Sequence, residues 1–184
     1  AIVIVTFDQI KAIIPELVAQ GVDLSTVYLV DGNTNGFEAD FEPGTLAGAQ
    51  GSIPGAQADE EFQAQLQEIY AAEFGGELVS FTYAPEAYDL VTIVALAATK
   101  AGATDSASIQ AELAAVTGAN GGEECTSFAD CVALLDEGSD IAYVGKSGTG
   151  PLNDSNDPSS AWIGIYKYDE SNNPVFQRAV EGDI

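Results

Sequence analysis

Apolar positions change their spacing from one segment of this chain to the next, and those changes mark out its elements. Ile2 to Thr6 is an unbroken apolar run, the pattern of a parallel strand covered on both faces. After Asp8, a residue suited to capping, Ile10, Ile13, Ile14, Leu17 and Val18 recur at helical spacing until Gly21 stops them. Thr26 to Val30 is apolar again and runs into the turn cluster Asp31-Gly-Asn-Thr-Asn-Gly36. Strand, helix and strand at this spacing predict a βαβ unit, hence a parallel sheet with a right-handed crossover.

Residues 37–58 are rich in Gly, Pro and Ala and predict only a short strand near Gly48 to Ile53. Phe62, Leu66, Ile69, Tyr70 and Phe74 then form one face of a helix that ends at Gly75-Gly76. Ser80 to Ala84 reads as a linker or short strand. Pro85 opens a strongly apolar helix, Glu86 to Lys100, terminated by Gly102. Ile109, Leu113 and Val116 mark a shorter helix, and Ser127 with Asp130 resembles a capping box at the head of another, Phe128 to Leu135. A short apolar strand after Asp140 leads through a Gly/Ser/Pro passage to an alternating strand, Trp162 to Tyr168. The turn Ser171-Asn-Asn-Pro174 then starts a last strand, Val175 to Val180.

The composition narrows what such a chain can do. Its 184 residues are 46% apolar, enough for a real core. Asp and Glu number 29 against five Lys and Arg, a net charge of −24. A surface of that sign repels phosphate backbones and anionic headgroups, which excludes nucleic acid as a partner. The same charge serves solubility in a secreted or salt-tolerant setting, or attraction of cationic solutes. Histidine is absent, which removes the commonest general base and zinc ligand. Asp154, Asn156 and Asp157 lack the Gly and distal Glu of a calcium loop, so neither a metal nor a cofactor is expected. Carboxylates such as Asp31 and Glu86 can serve as an acid–base pair, but acids are so abundant that chance pairs are common, and the chain does not read as an enzyme.

Cys125 and Cys131 are too far apart in sequence for a redox motif and predict a structural disulfide, which favours an extracytoplasmic location. No apolar run is long enough to cross a bilayer; the longest, Leu90 to Ala98, is broken by Thr92. A buried-type strand at the first residue suggests a chain cut from something longer.

Four segments in a fixed order carry a family resemblance. They are Val5-Thr-Phe-Asp-Gln-Ile10 with its helix, Val27-Tyr-Leu-Val-Asp-Gly32, Ala84-Pro-Glu-Ala-Tyr-Asp-Leu-Val91 running on to Gly102, and Tyr143-Val-Gly-Lys-Ser-Gly148 followed by the Asn156-Asp-Pro158 turn. The set resembles the C-terminal half of the solute-binding proteins of branched-chain amino acid ABC transporters, the type I periplasmic-binding family. The resemblance implies an α/β fold: a parallel-sheet βαβ lobe of a two-lobed protein that closes on a small solute, here incomplete, with its N-terminal half missing. It implies that residues 1–80 belong to the second lobe, 81–157 return to the first through hinge crossings, and 158–184 go back to the second.

The same resemblance gives candidate site residues. Asp31 stands where the family places an acidic residue against the solute's ammonium group; the bland alternative is an Asx turn with Gly32. Phe7 matches an aromatic wall, or is a packed loop aromatic. Tyr83, ahead of the apolar helix, lines the cleft from the hinge side or is structural, and Tyr88-Asp89 read as structural. The implied function is an extracytoplasmic solute-binding protein, lipid-anchored through the missing N-terminus, that hands an amino acid or similar small polar solute to an ABC permease. The alternative is a ligand-sensing receptor ectodomain. Uncovered apolar faces further predict self-association or pairing with the missing fragment.

Overall fold

The computed structural model of the protein describes residues 1–78 and 80–183; Val79, and Ile184 at the end of the last predicted segment, lie outside the described residues. In chain order the elements are β1 (Ile2–Ile4), α1 (Ile10–Ala19), β2 (Val27–Leu29), β3 (Gln50–Pro54), α2 (Glu60–Phe74), α3 (Ala84–Ala101), α4 (Ser106–Val116), β4 (Glu123–Cys125), α5 (Phe128–Asp136), β5 (Ile141–Tyr143), β6 (Ser160–Tyr168) and β7 (Pro174–Asp183). The larger sheet has the order β1-β2-β3-β6-β7, and β4 and β5 form a small sheet of their own. β1, β2 and β3 run parallel, while β6 returns antiparallel to β3. The predicted βαβ unit is therefore β1-α1-β2. By contacts the chain divides into two compact units, Ala1–Pro54 with Ile163–Val180, and Gly55–Trp162 with the residues from Glu181 onward.

In the first unit, Ile10 and Ile14 of α1 pack with Ile4, Val27 and Leu29 of the strands. β1 does not have two covered faces: Val3 is 64% exposed. It stands at the sheet edge with only β2 beside it, and its register pairs Val3 with the exposed Tyr28 and the buried Ile4 with Leu29. Of the three strand residues only Ile4 is buried. Asp8 does not cap α1 either, since the cap position falls on Gln9, which makes no side-chain cap bond. Gln9 Oε1 instead accepts from the Phe7 N–H at 3.0 Å.

The Gly/Pro-rich stretch after Asp31 folds over the far side of this unit, pinned by one buried amide. Asn172, in the β6–β7 turn, accepts from the Leu46 N–H and donates to the carbonyls of Phe41 and Glu42. Tyr168 stacks on Phe37 and donates its hydroxyl hydrogen bond to the Asn35 carbonyl at 2.9 Å. Burial pushes that hydroxyl's pKa above its ordinary value.

The second unit is built on α3, whose Leu96 and Ala97 are buried with Val116, Ile141 and Tyr143. Its helix caps follow from sequence. Asp59 accepts from the Phe62 N–H at the head of α2, and Asp105 from the Ser108 N–H at the head of α4. At α5 the predicted box is half formed. Ser127 accepts from the Asp130 N–H, but the Asp130 carboxylate accepts from the Ser127 hydroxyl. Cys125, closing β4, is joined to Cys131 on α5, as expected, with a Cα separation of 5.3 Å. Among the described residues Lys11 pairs with Asp40, Lys100 with Asp140 and Lys146 with Asp59 across the surface.

Candidate functional site

The C-terminal ends of parallel strands are where α/β sheets present loops to ligands, because no crossover helix blocks that edge. In the first unit those ends are the loop after β1, which carries Phe7, and the single helical turn Asp31–Asn33 after β2. Asn33 holds the two together. Its amide nitrogen donates to the Ile4 carbonyl at 3.0 Å and the Thr6 hydroxyl at 2.9 Å, and its oxygen accepts from the Val30 N–H at 2.8 Å. The side chain is fully buried, and its bond to the Ile4 carbonyl is sheltered from water.

Gly32 completes the arrangement through close approach. A Cβ there would come within 2.8 Å of the Phe7 ring and 2.9 Å of the Thr6 carbonyl oxygen, so only glycine lets the ring lie on the turn. The structure thereby brings two of the three sequence candidates to one place: Phe7, whose side chain is 71% exposed, rests on the turn that carries the exposed Asp31. A carboxylate next to an open aromatic face can accept hydrogen bonds from an ammonium group and offer it a cation–π contact.

Tyr83, the third candidate, belongs to the second unit. It occupies the cap position of α3 in the left-handed region, φ 62° and ψ 3°, a conformation that bulky residues rarely adopt. Its side chain is exposed, and its carbonyl accepts from the Ala87 N–H in the first turn of the helix.

Asp89, which reads from the sequence as structural together with Tyr88, is a polar hub of the second unit. This buried carboxylate accepts from the Tyr143 hydroxyl at 2.9 Å, the Lys146 N–H at 2.8 Å and the Ser147 N–H at 2.7 Å. It therefore fastens α3 to the segment following β5. Burial, reinforced by the Asp89 carboxylate, pushes the Tyr143 hydroxyl's pKa well above its ordinary value. The signal was present in two halves, the Tyr-Asp pair at the head of α3 and the Tyr143 to Gly148 segment. Among the described residues no cluster of acids or cysteines could hold a metal ion.

No known family pattern matches this sequence, and no curated protein matches it. The chain superposes on the leucine-binding protein LivK of Thermotoga maritima with a TM-score of 0.62 at 15% sequence identity, over 97% of its own length and 43% of that protein's. The fold is the type I periplasmic-binding fold, in part. The chain spans less than half the length of the leucine-binding protein it matches. Within this portion of the type I fold, the acid–aromatic pair lies on the unit with the parallel strands, while the Asp89 hub and the disulfide lie on the other.

Proposed function

We propose that the protein acts as an extracytoplasmic solute-binding protein, taking an amino acid or similar small polar solute and delivering it to an ABC permease. The observation that carries this reading is that the exposed Phe7, whose ring lies against Gly32, and the exposed Asp31 stand on adjoining loops at the C-terminal ends of parallel strands. In a chain of this fold, that is a place built for an ammonium group. The fold likeness to a leucine-binding protein supports the amino-acid class, and the net charge of −24 favours the cationic end of such a solute at long range.

In this reading residues 1–80 and 158–184 serve one lobe and 81–157 the other, with Tyr83 facing the cleft. Further polypeptide supplies the groups that grip the solute's carboxylate. That polypeptide, or a second copy of this chain, covers the apolar side chains exposed here, such as Val3 and Tyr28 on the sheet and Val91 on α3. A lipid anchor would hold the assembly at the membrane; among the described residues no helix is long and apolar enough to cross one. Binding is by closure, without a covalent step.

The test is a thermal-shift and calorimetric screen of the common amino acids on this chain together with the polypeptide that completes its lobes, followed by Asp31→Ala. A solute at about 100 times its Kd stabilises by about 2.7 kcal/mol, which raises the melting temperature by several degrees. We expect one amino acid or a small group of them to do this, and Asp31→Ala to weaken that binding at least tenfold. Absence of saturable stabilisation by any amino acid, or an unchanged affinity in the variant, would remove the reading.

A further inference from the structure

The second unit contains a half-open cavity of about 240 Å3 between α3, α4 and the Gly/Ser/Thr segment that follows β5. Leu90 and Ile93 of α3, Leu113 of α4 and Leu152 give it apolar walls, and among the described residues the acidic groups on its lining are Glu86, Asp89 and the Tyr143 phenol, with no Lys or Arg.

The two carboxylates are in different states. Asp89 is satisfied by its three donors, so its charge is already committed. Glu86 Oε1 is enclosed and has no hydrogen-bond partner among the described residues, the sole side-chain oxygen or nitrogen of which this is so. It is packed against Gly55, where any side chain would overlap the carboxylate. Leaving a buried acceptor unmet is costly, and native proteins rarely do it without a ligand, water or function to answer it. Burial raises the Glu86 pKa above the ordinary carboxylate value, opposed by a hydrogen bond from the residue's own N–H and reinforced by the Asp89 charge.

We propose that this cavity is a binding site for a small primary amine, with an alkyl or arylalkyl body between Leu90, Ile93, Leu113 and Leu152 and an ammonium group donating to Glu86. Rotation about the terminal torsion of the glutamate, which is soft, turns either oxygen toward the occupant. At roughly 30 Å3 for each water-sized group, the volume accommodates about eight such groups, enough for an isopentyl body and close to the limit for a phenylethyl one. Amino acids are selected against. Their carboxylate would lie beside Glu86 and Asp89 with no cation on the lining to meet it. The site is therefore separate in chemistry from the Asp31–Phe7 pair and independent of the function proposed for that pair.

The experiment titrates methyl-labelled protein with isopentylamine, with its uncharged isostere isopentanol, and with leucine. Isopentylamine is expected to produce saturable shifts at the Ile93, Leu113 and Leu152 methyls, isopentanol to bind at least tenfold more weakly, and leucine to leave those methyls unmoved. Glu86→Gln keeps the shape and removes the charge, and it should weaken the amine at least tenfold. The wild-type comparison of amine with alcohol stands without any variant. Equal binding of amine and alcohol, no saturable shift with the amine, or undiminished affinity in Glu86→Gln overturns the proposal. Shifts of the same methyls by leucine overturn the ligand class. Tighter binding of a lysine-containing peptide than of the free amine assigns the ammonium to a protein side chain and overturns the small-molecule site. An Asp31→Ala protein that has lost its amino acid should still take up the amine.

Discussion

Two of the buried polar side chains that make three hydrogen bonds each hold a loop beside a strand end, Asn33 in the first unit and Asp89 in the second. The choice of amide or carboxylate follows from what surrounds it. Around Asn33 lie a carbonyl, a hydroxyl and an N–H, a mixed set that only a group with both donor and acceptor can satisfy. Asp89 is met by an O–H and two N–H groups, all donors, which an ionised carboxylate serves best. The neutral pin leaves the strand ends of the first unit free of added charge, so the charge at that edge comes from Asp31. The charged pin holds its own segment more firmly, and in doing so raises the electrostatic cost of the adjacent Glu86.

The comparison breaks most directly at Asp89. Asp89→Ala strands two buried-side N–H groups and a tyrosine hydroxyl, and since hydrogen bonds to charged groups are worth about 1.5–3 kcal/mol each, we expect a loss of about 4 kcal/mol in urea unfolding. A loss under about 1 kcal/mol, the size of an ordinary substitution, would mean that Asp89 is no hub. Asn33→Asp should cost less, about 3 kcal/mol, by turning the donor that faces the Ile4 carbonyl into an acceptor. If that variant is as stable as the parent protein, the mixed donor–acceptor argument fails.

The smallest effect is one of pH. Because burial raises the Glu86 pKa in the folded state above its ordinary 4.5, the folded protein binds that proton more readily than the unfolded chain. Stability conferred by that proton is present at low pH and declines as pH rises through the folded pKa. Glu86→Gln should match the parent near pH 4 and exceed it at pH 7. Melting curves that keep a constant separation across that range would contradict the sign.

Much of the fold was legible because its signals are local. The Ser127 cap acts on an N–H three residues ahead, as do the caps Asp59 and Asp105 that the sequence reading did not single out, and the βαβ unit is announced by spacing within thirty residues. β4 was missed because two of its three residues are glutamates, with only Cys125 turned inward. β1 was misjudged because an apolar run does not say whether a second layer lies over it. The three partners of Asp89 lie 54 to 58 residues downstream, so no window centred on α3 contains them. Of the candidate site, Phe7 and Asp31 could be placed together from strand order alone, whereas the buried amide that fixes them, Asn33, looked like one more residue in a turn.

Asn172 carries a consequence for the order of events during synthesis. It reaches back 126 residues to Leu46, and Tyr168 reaches 133 residues to Asn35, so the first unit is completed by a piece of chain made after nearly all of the second. Contacts of such separation are slow to form, because the loop between them must be closed before they repay anything. On the ribosome, β1 to β3 emerge early and must wait, with β3 lacking its neighbour β6, while the intervening segment can fold by itself from nearer contacts. Until the last turn is delivered, the strand ends that carry Phe7 and Asp31 sit in an unfinished sheet, which makes this edge among the last parts of the first unit to be completed.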